Sequence, residues 1–378
     1  MSWNMAGAKM LGMLDPAPHA VTSRYVAAYR DVWENGIKHF LRIPPGQTNY
    51  PDIILLQECI GFIDTRPDHH RSGRWPNGED ILKQIYSGYT CFFFPALSSH
   101  GNPHPGKWQR YKEGNINNFL PDFIEAQQGY GVCVREDRAL RKLWVTEENQ
   151  ETIPQGADEP GGEYHLCFEA INTTTGLYLG NRDTEPRLVI MGRMKIGSPG
   201  VDERYLNFLN IHLTTLKGER VGNIRLNRMA SESRMRQLDL ILDNVISAYQ
   251  EATAHRVPRV SGQRQEDVWV VGGDFNAASD AEEIALIKRM GFIDGNPDKA
   301  IVDARVGSPY HNQIGTKWSL GNPGLPPTVL DYIFCGLERT TFPTNGLVIK
   351  NSLRPYRPLF SDPEFESDHA VLIAVFEI

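Results

Sequence analysis

Val270-Val271-Gly272-Gly273-Asp274-Phe275-Asn276 carries two conflicting signals. With Val268-Trp269 before it, the stretch begins as a buried β-strand, β-branched and aromatic and without charge. Two glycines then end the run, and an acid and an amide follow two positions apart. Burying a charge is costly unless it is partnered, so packing gives no reason to close a strand this way. Side chains that must meet a ligand at a strand end do need this arrangement. Asp274 and Asn276 are therefore the first candidate functional residues.

Short apolar runs bounded by Gly, Pro, Asn or Asp recur along the chain: Asp52–Gln57, Thr90–Phe94, Gly131–Arg135, Leu188–Met194, Tyr205–Leu213, Val268–Gly272, Val329–Phe334 and Ala370–Phe376. Each is expected to be a strand. Helices are expected between them. Ser23–Leu41 carries a helical stripe of Tyr25, Val26, Tyr29, Val32, Trp33, Ile37 and Phe40, and Asn223–Ala254 carries another of Leu226, Met229, Met235, Leu238, Leu242, Val245, Ile246 and Tyr249. Ser279–Met290 opens on Ser-Asp-Ala-Glu-Glu, expected to be a cap followed by acids in the first turn. Arg225, Arg228, Arg234 and Arg236 would make a basic edge, but they stand among Glu232, Asp239 and Asp243, which reads first as paired surface charge. Alternating strands and helices imply sheets covered by helices. The chain is expected to form a single domain, 1–378, with a loop-rich insertion at about 61–128 and a plain surface loop at Pro154–Glu163.

Polar residues gather at one end of several strands. Asn4 follows Trp3; Gln57-Glu58 closes Leu55-Leu56; His212 stands in Asn210-Ile211-His212; Asp331 opens Asp331-Tyr332; and Ser367-Asp368-His369 precedes the last strand. Taken singly, each has a plain explanation as a solvated acid, a turn or a bonded core histidine. Taken in order, the marks Trp-Asn, Leu-Gln-Glu, Asn-x-His-Leu, Gly-Asp-Phe-Asn, Leu-Asp-Tyr-Ile-Phe and Ser-Asp-His resemble the endonuclease/exonuclease/phosphatase superfamily over nearly the whole chain. The resemblance implies an α/β (α+β) fold, a four-layer sandwich of two mixed β-sheets flanked by helices.

It also implies a chemistry: phosphodiester hydrolysis by in-line attack of water, with charge accumulating on phosphoryl and leaving oxygens. In that reading Asp274 orients and deprotonates the water, Asn276 holds a phosphate oxygen, and His212 and His369 face the phosphate. Asp331 fixes the tautomer of His369 and favours its charged form. Glu58 binds Mg2+ or Mn2+ with Asn4 as an amide neighbour and Asp368 nearby, since a hard cation takes one or two carboxylates. Two departures stand out. Asn4 lies close to the first residue, leaving its strand nearly absent; chain ends fray unless tied down, so Asn4 is expected to be weakly held. Ala6 occupies the place where abasic-site endonucleases of this fold carry an Asp.

For the substrate, Asn276-Ala277-Ala278 and Asp331-Tyr332 depart from the pattern of the inositol-polyphosphate phosphatases. Within His104–Lys112, the residues Trp108, Arg110, Tyr111 and Lys112 suit a loop that grips a backbone and stacks bases, or an ordinary solvated loop. A nuclease acting on DNA or RNA is expected first, a phosphoesterase on a small or lipid-linked substrate second, and a non-catalytic binding protein third.

Composition bounds these readings. The chain has 378 residues, 40% hydrophobic and 22% charged, with a net charge of −7. An acidic balance argues against gripping polyanions by bulk charge, though not against a nucleic-acid substrate met through a local groove. Cys59, Cys91, Cys133, Cys167 and Cys335 are widely spaced and read as reduced core thiols. No secretory leader and no transmembrane run is visible, so a cytoplasmic protein with no protein partner is expected.

Overall fold

The computed structural model describes residues 1–6, 18–41, 50–66, 75–98, 123–136, 143–146, 166–179, 181–196, 204–247, 268–302, 313–317, 326–336, 347–349 and 367–376. Its strands, in chain order, are β1 Ser2–Asn4, β2 Ile53–Asp64, β3 Tyr89–Ser98, β4 Ile124–Arg135, β5 Leu143–Thr146, β6 Leu166–Asn172, β7 Leu188–Ile196, β8 Arg204–His212, β9 Val268–Asp274, β10 Phe292–Asp294, β11 Ile301–Val302, β12 Asp331–Gly336, β13 Leu347–Ile349 and β14 Val371–Ile373. The α-helices are α1 Pro18–Asp31, α2 Lys38–Leu41, α3 Gly78–Ile85, α4 Ile224–Asp239 and α5 Glu282–Arg289. A π-helical segment, Val32–Ile37, joins α1 to α2, and another, Leu240–Ser247, extends α4. The chain divides into two compact units: Met1–Arg138, Asn296–Asp331 and Asn345–Ala374 form the first, and Ala139–Gly295, Tyr332–Thr344 and Val375–Ile378 the second.

The first unit holds a mixed sheet in the order β11-β13-β14-β1-β2-β4-β3. Although β1 is only three residues long, it is not frayed. It pairs in parallel with β2, Asn4 opposite Gln57, and antiparallel with β14, Ser2 opposite Leu372. Ser2, Trp3 and Asn4 are each 1% exposed, which corrects the expectation that Asn4 is weakly held. The reason is position: a strand in the middle of a sheet has ladder bonds on both sides. The expected stripe is buried over Tyr25, Val26 and Tyr29 of α1 and Val32, Trp33 and Ile37 of the π-helical segment, with the Tyr29 ring 5.0 Å from Trp3 and Trp33 5.2 Å from Tyr86; the Phe40 side chain lies outside the described residues. Burying an aromatic side chain of this kind stabilises by roughly 2–3 kcal/mol.

The second sheet, β10-β12-β9-β8-β7-β6-β5, is also mixed. Its central pair, β8 and β9, is parallel, with Ile211 opposite Gly273 and His212 opposite Asp274. Gly273 has φ +153, and a Cβ there would lie 1.9 Å from the Ile211 carbonyl oxygen. A side chain at this point would separate the two strand ends. On α4 the buried face differs from the expected apolar stripe: Ser233, Arg234 and Gln237 are buried with Ala230 and Leu238, whereas Leu226, Met229 and Met235 are half-buried. Arg234 is thus not a surface charge.

Other expectations also change. Of residues 61–128, those described include β2 as far as Asp64, α3, β3 and the start of β4, and the rest of the expected insertion lies outside the described residues. Helix α5 begins at Glu282 behind Ala281, which makes no side-chain cap, so Ser279 is not the capping residue. Pro154–Glu163 and Tyr249 lie outside the described residues. Cys59, Cys91, Cys133 and Cys335 are buried free thiols. No described helix is long and apolar enough to cross a membrane.

Candidate functional site

In the first unit the chemistry-bearing residues assemble around His369. Its Nδ1 lies 3.0 and 2.9 Å from the Asp331 carboxylate oxygens. The Thr316 hydroxyl donates to Asp331 Oδ2 at 2.7 Å and accepts the backbone N–H groups of Leu330 and Asp331 at 2.9 Å each. A hydroxyl has one hydrogen to give and two lone pairs to fill, so these bonds fix its direction and, through it, the carboxylate. The His369 backbone is held as well: its N–H reaches Ser367 Oγ at 3.1 Å, and its carbonyl accepts from Trp3 Nε1 at 3.2 Å. With Nδ1 committed, the chemistry falls to Nε2, which lies 3.9 Å from Asp368 Oδ1. Lys317 Nζ stands 3.9 Å from the other oxygen of Asp368.

Asn4 and Glu58 stand on neighbouring strands. The Ser367 hydroxyl donates to the Asn4 carbonyl at 2.6 Å, tying β1 to the segment that carries Asp368 and His369. The Asn4 side-chain oxygen accepts the Ala6 N–H at 2.9 Å, so part of its acceptor capacity closes a local turn. Glu58 does not end its strand. The β2–β4 register slips between Leu56 and Cys59, and Glu58 occupies the resulting bulge at φ +52. A bulge aims a side chain away from the alternation of its strand, and a non-glycine residue at positive φ is strained. Burial pushes the Tyr29 phenol well above its ordinary range, and the charges of Asp368 and Glu58 push it the same way.

In the second unit the parallel register of β8 and β9 ends both strands at one level. His212 Nε2 consequently lies 3.6 Å from Asp274 Oδ2. Asp274 Oδ1 accepts the Asn276 N–H at 2.8 Å, an Asx turn that suits the φ of +49 at Asn276. The Asn276 amide is already partly used: Nδ2 donates to the Leu213 carbonyl at 3.0 Å, and Oδ1 accepts from Arg220 at 3.3 Å. One of its amide hydrogens is thereby spent on the fold, leaving the other for a ligand.

Several participants had no motif to announce them. Arg187 Nη1 lies 2.9 Å from His212 Nδ1 and 3.2 Å from Nε2, and its other arm reaches Glu185 at 3.3 Å. Nη1 reaches both ring nitrogens and a guanidinium only donates, so one of the two accepts and carries no proton. Arg220 also donates to the Asn276 carbonyl at 2.8 Å and pairs with Glu219 at 2.7 Å. Glu219 is in turn held by Arg234 at 3.0 Å, and Arg234 by Glu283 at 2.7 Å. This chain explains the polar buried face of α4: it anchors the loop that follows β8. Thr316 and Lys317 are the missed residues of the first unit. Trp108, Arg110, Tyr111 and Lys112 lie outside the described residues.

No protein-family model and no curated protein matches the chain. Solved structures do align with it. The endonuclease/exonuclease/phosphatase from Bacteroides vulgatus is 12% identical over 93% of this chain and 90% of its own, with a TM-score of 0.46. The human Nocturnin catalytic domain with bound sulfate is 16% identical over 93% and 87%, with a TM-score of 0.42. The beta toxin of Staphylococcus aureus is 14% identical over 98% and 96%, with a TM-score of 0.44. Two mixed sheets with helices are the architecture that the order of the sequence motifs implies.

Proposed function

We propose that the protein is a metal-dependent phosphodiester hydrolase acting on nucleic acid, with His212, Asp274, Asn276, Asp331 and His369 as its catalytic residues. The observation that carries this reading is the His369–Asp331 pair, a buried imidazole whose Nδ1 is fixed by a carboxylate that Thr316 itself holds in place. Such a ring presents Nε2 as a directed donor to an oxygen that gains negative charge. Asp274 takes the proton of the attacking water. His212, oriented by Arg187, and the second amide hydrogen of Asn276 hold phosphoryl oxygens.

Glu58 and Asp368 suit a hard divalent cation such as Mg2+ or Mn2+: both are carboxylates, and Glu58 stands in the bulge of β2, the strand that pairs with β1. Asn4 belongs to the same strand neighbourhood. When bound, the cation supplies positive charge to the phosphoryl oxygens. Nucleic acid is the first substrate because the His104–Lys112 stretch mixes cations and aromatics. A lipid-linked phosphoester is the second reading, favoured by Val221, an aliphatic side chain exposed on the loop that follows β8 and His212.

The test is hydrolysis of labelled DNA and RNA, bis-p-nitrophenyl phosphate and phospholipids, with Mg2+ or Mn2+ against EDTA and Asp274→Asn as control. Metal-dependent cleavage of polynucleotide, lost in the variant, is expected. Cleavage of phospholipid alone would replace the substrate, and silence on every substrate from folded protein would overturn the hydrolase.

A further inference from the structure

The most exposed large apolar side chains among the described residues are Leu179 at 86%, Ile224 at 84% and Val221 at 78%. All belong to the second unit, on two segments tied to each other. Asn181 Oδ1 accepts the Lys217 N–H at 3.1 Å, and the Tyr178 hydroxyl donates to Glu232 on α4. Glu232 pairs with Arg228 one turn back at 3.0 Å, and Ile224 stands one further turn back. Residues four apart share a helix face, so Ile224 lies on the face that the Tyr178–Leu179 loop adjoins. Val221 occupies a turn closed by Gly222 at φ +81, where an added Cβ would meet nothing within 4 Å. This is the projecting tip of a loop.

Such exposure costs solubility unless the surface is used. The charge around it indicates by what. Lys217 and Arg225 are exposed, and Arg228, which pairs with Glu232, is 81% exposed. Asp183 is buried, and Glu219 is buried between Arg220 and Arg234. The surface is thus apolar and locally basic in a chain whose net charge is −7. Three aliphatic side chains fall far short of the roughly 800 Å² per partner that a stable protein interface buries. Aliphatic tips ringed by cations do suit shallow insertion among anionic headgroups.

We propose that Leu179, Val221 and Ile224, with Lys217, Arg225 and Arg228, dock the protein on an anionic lipid membrane. This goes beyond the hydrolase reading and does not depend on it. The docked loop also carries Arg220, which donates to Asn276, so contact with lipid bears on a residue beside Asp274.

The experiment is flotation of the full chain with vesicles of phosphatidylcholine alone or mixed with phosphatidylserine, at low and high salt. The variants are Val221→Ser/Ile224→Ser, Leu179→Ser and Lys217→Gln/Arg225→Gln. All change exposed side chains, and thermal melts check that each stays folded. Wild type is expected to float with the anionic vesicles only. Each aliphatic loss should weaken binding about tenfold and each cation loss about fivefold. Absence of the wild type from anionic vesicles, equal binding to neutral ones, or binding indifferent to the variants overturns the proposal. So does a dimer, or duplex DNA binding, that the same variants abolish while vesicles stay unbound. Vesicle binding needs no turnover, and hydrolysis of bis-p-nitrophenyl phosphate by the same variants should stay at the wild-type rate. The two readings therefore fail separately.

Discussion

Nδ1 of His369 lies 2.9 Å from Oδ2 of Asp331, and both side chains are 2% exposed. A carboxylate buried this deeply needs partners, and it has the imidazole and the Thr316 hydroxyl. The pair selects which ring nitrogen is left for chemistry. Asp331→Asn keeps the shape but surrenders the charge that favours a donating ring. Turnover should fall about 10²–10³-fold with the fold retained. Steady-state kinetics beside circular dichroism checks this, and activity within threefold of wild type would remove Asp331 from the mechanism.

Asp274→Asn should be the more severe change. An amide oxygen still accepts the Asn276 N–H, so the turn survives, but it takes no proton from water. A loss of about 10³-fold is expected with a melting temperature close to wild type. His369→Ala should lose turnover to a similar degree, and full activity in either variant would remove that residue from the mechanism.

Arg187 tests a residue that no motif announced. Arg187→Met leaves Glu185 buried without its guanidinium, which should cost about 3 kcal/mol in denaturant unfolding. It also frees the His212 ring, lowering kcat by about tenfold or more. Arg187→Lys restores the charge but not the forked geometry and should recover stability better than turnover. Unchanged kcat in a stable Arg187→Lys would limit Arg187 to a structural role.

Glu58 sits at φ +52, a conformation that glycine adopts freely. Glu58→Gly should therefore be as stable as wild type or more so, by about 1 kcal/mol, while the Mg2+ concentration needed for activity rises. Glu58→Ala should raise the metal requirement without the gain in stability. An unchanged metal titration in both variants would take Glu58 out of the metal site.

High pH should unfold the first unit. Burial first, and neighbouring charge second, hold Tyr25, Tyr29 and Tyr86 well above the ordinary tyrosine value of 10.0. Burial likewise lifts Cys59 and Cys133 above 9.0. A group whose folded pKa is raised contributes stability that is complete below its unfolded pKa and is lost as pH rises through the folded value. Stability should thus hold to about pH 9 and then fall. Phenolate absorbance should appear together with loss of the circular dichroism signal; smooth tyrosine titration in a folded protein would contradict it.

The sequence was legible where its signals are local. Alternating strands and helices, the aromatic stripe of α1 and the polar residues at strand ends all follow from periodicity and turn chemistry, and β9 closes on Asp274 as the double glycine suggests. Short strands were not legible: β10, β11 and β13 have two or three residues each and no pattern of their own. Their partners make them strands. The polar face of α4 defeated the periodicity argument because Arg234 and Gln237 are buried by bonding to loops far away in sequence.

The residue types at the strand ends, and so the kind of chemistry they suit, are written in the amino-acid order. Tertiary structure decided how each is held. The β8–β9 register sets His212 beside Asp274, the slip between Leu56 and Cys59 turns out Glu58, and long-range bonds bring Thr316 to Asp331 and Arg187 to His212. The physical reason is that strand register and buried ion pairs are set by contacts between distant segments, and no local propensity encodes them.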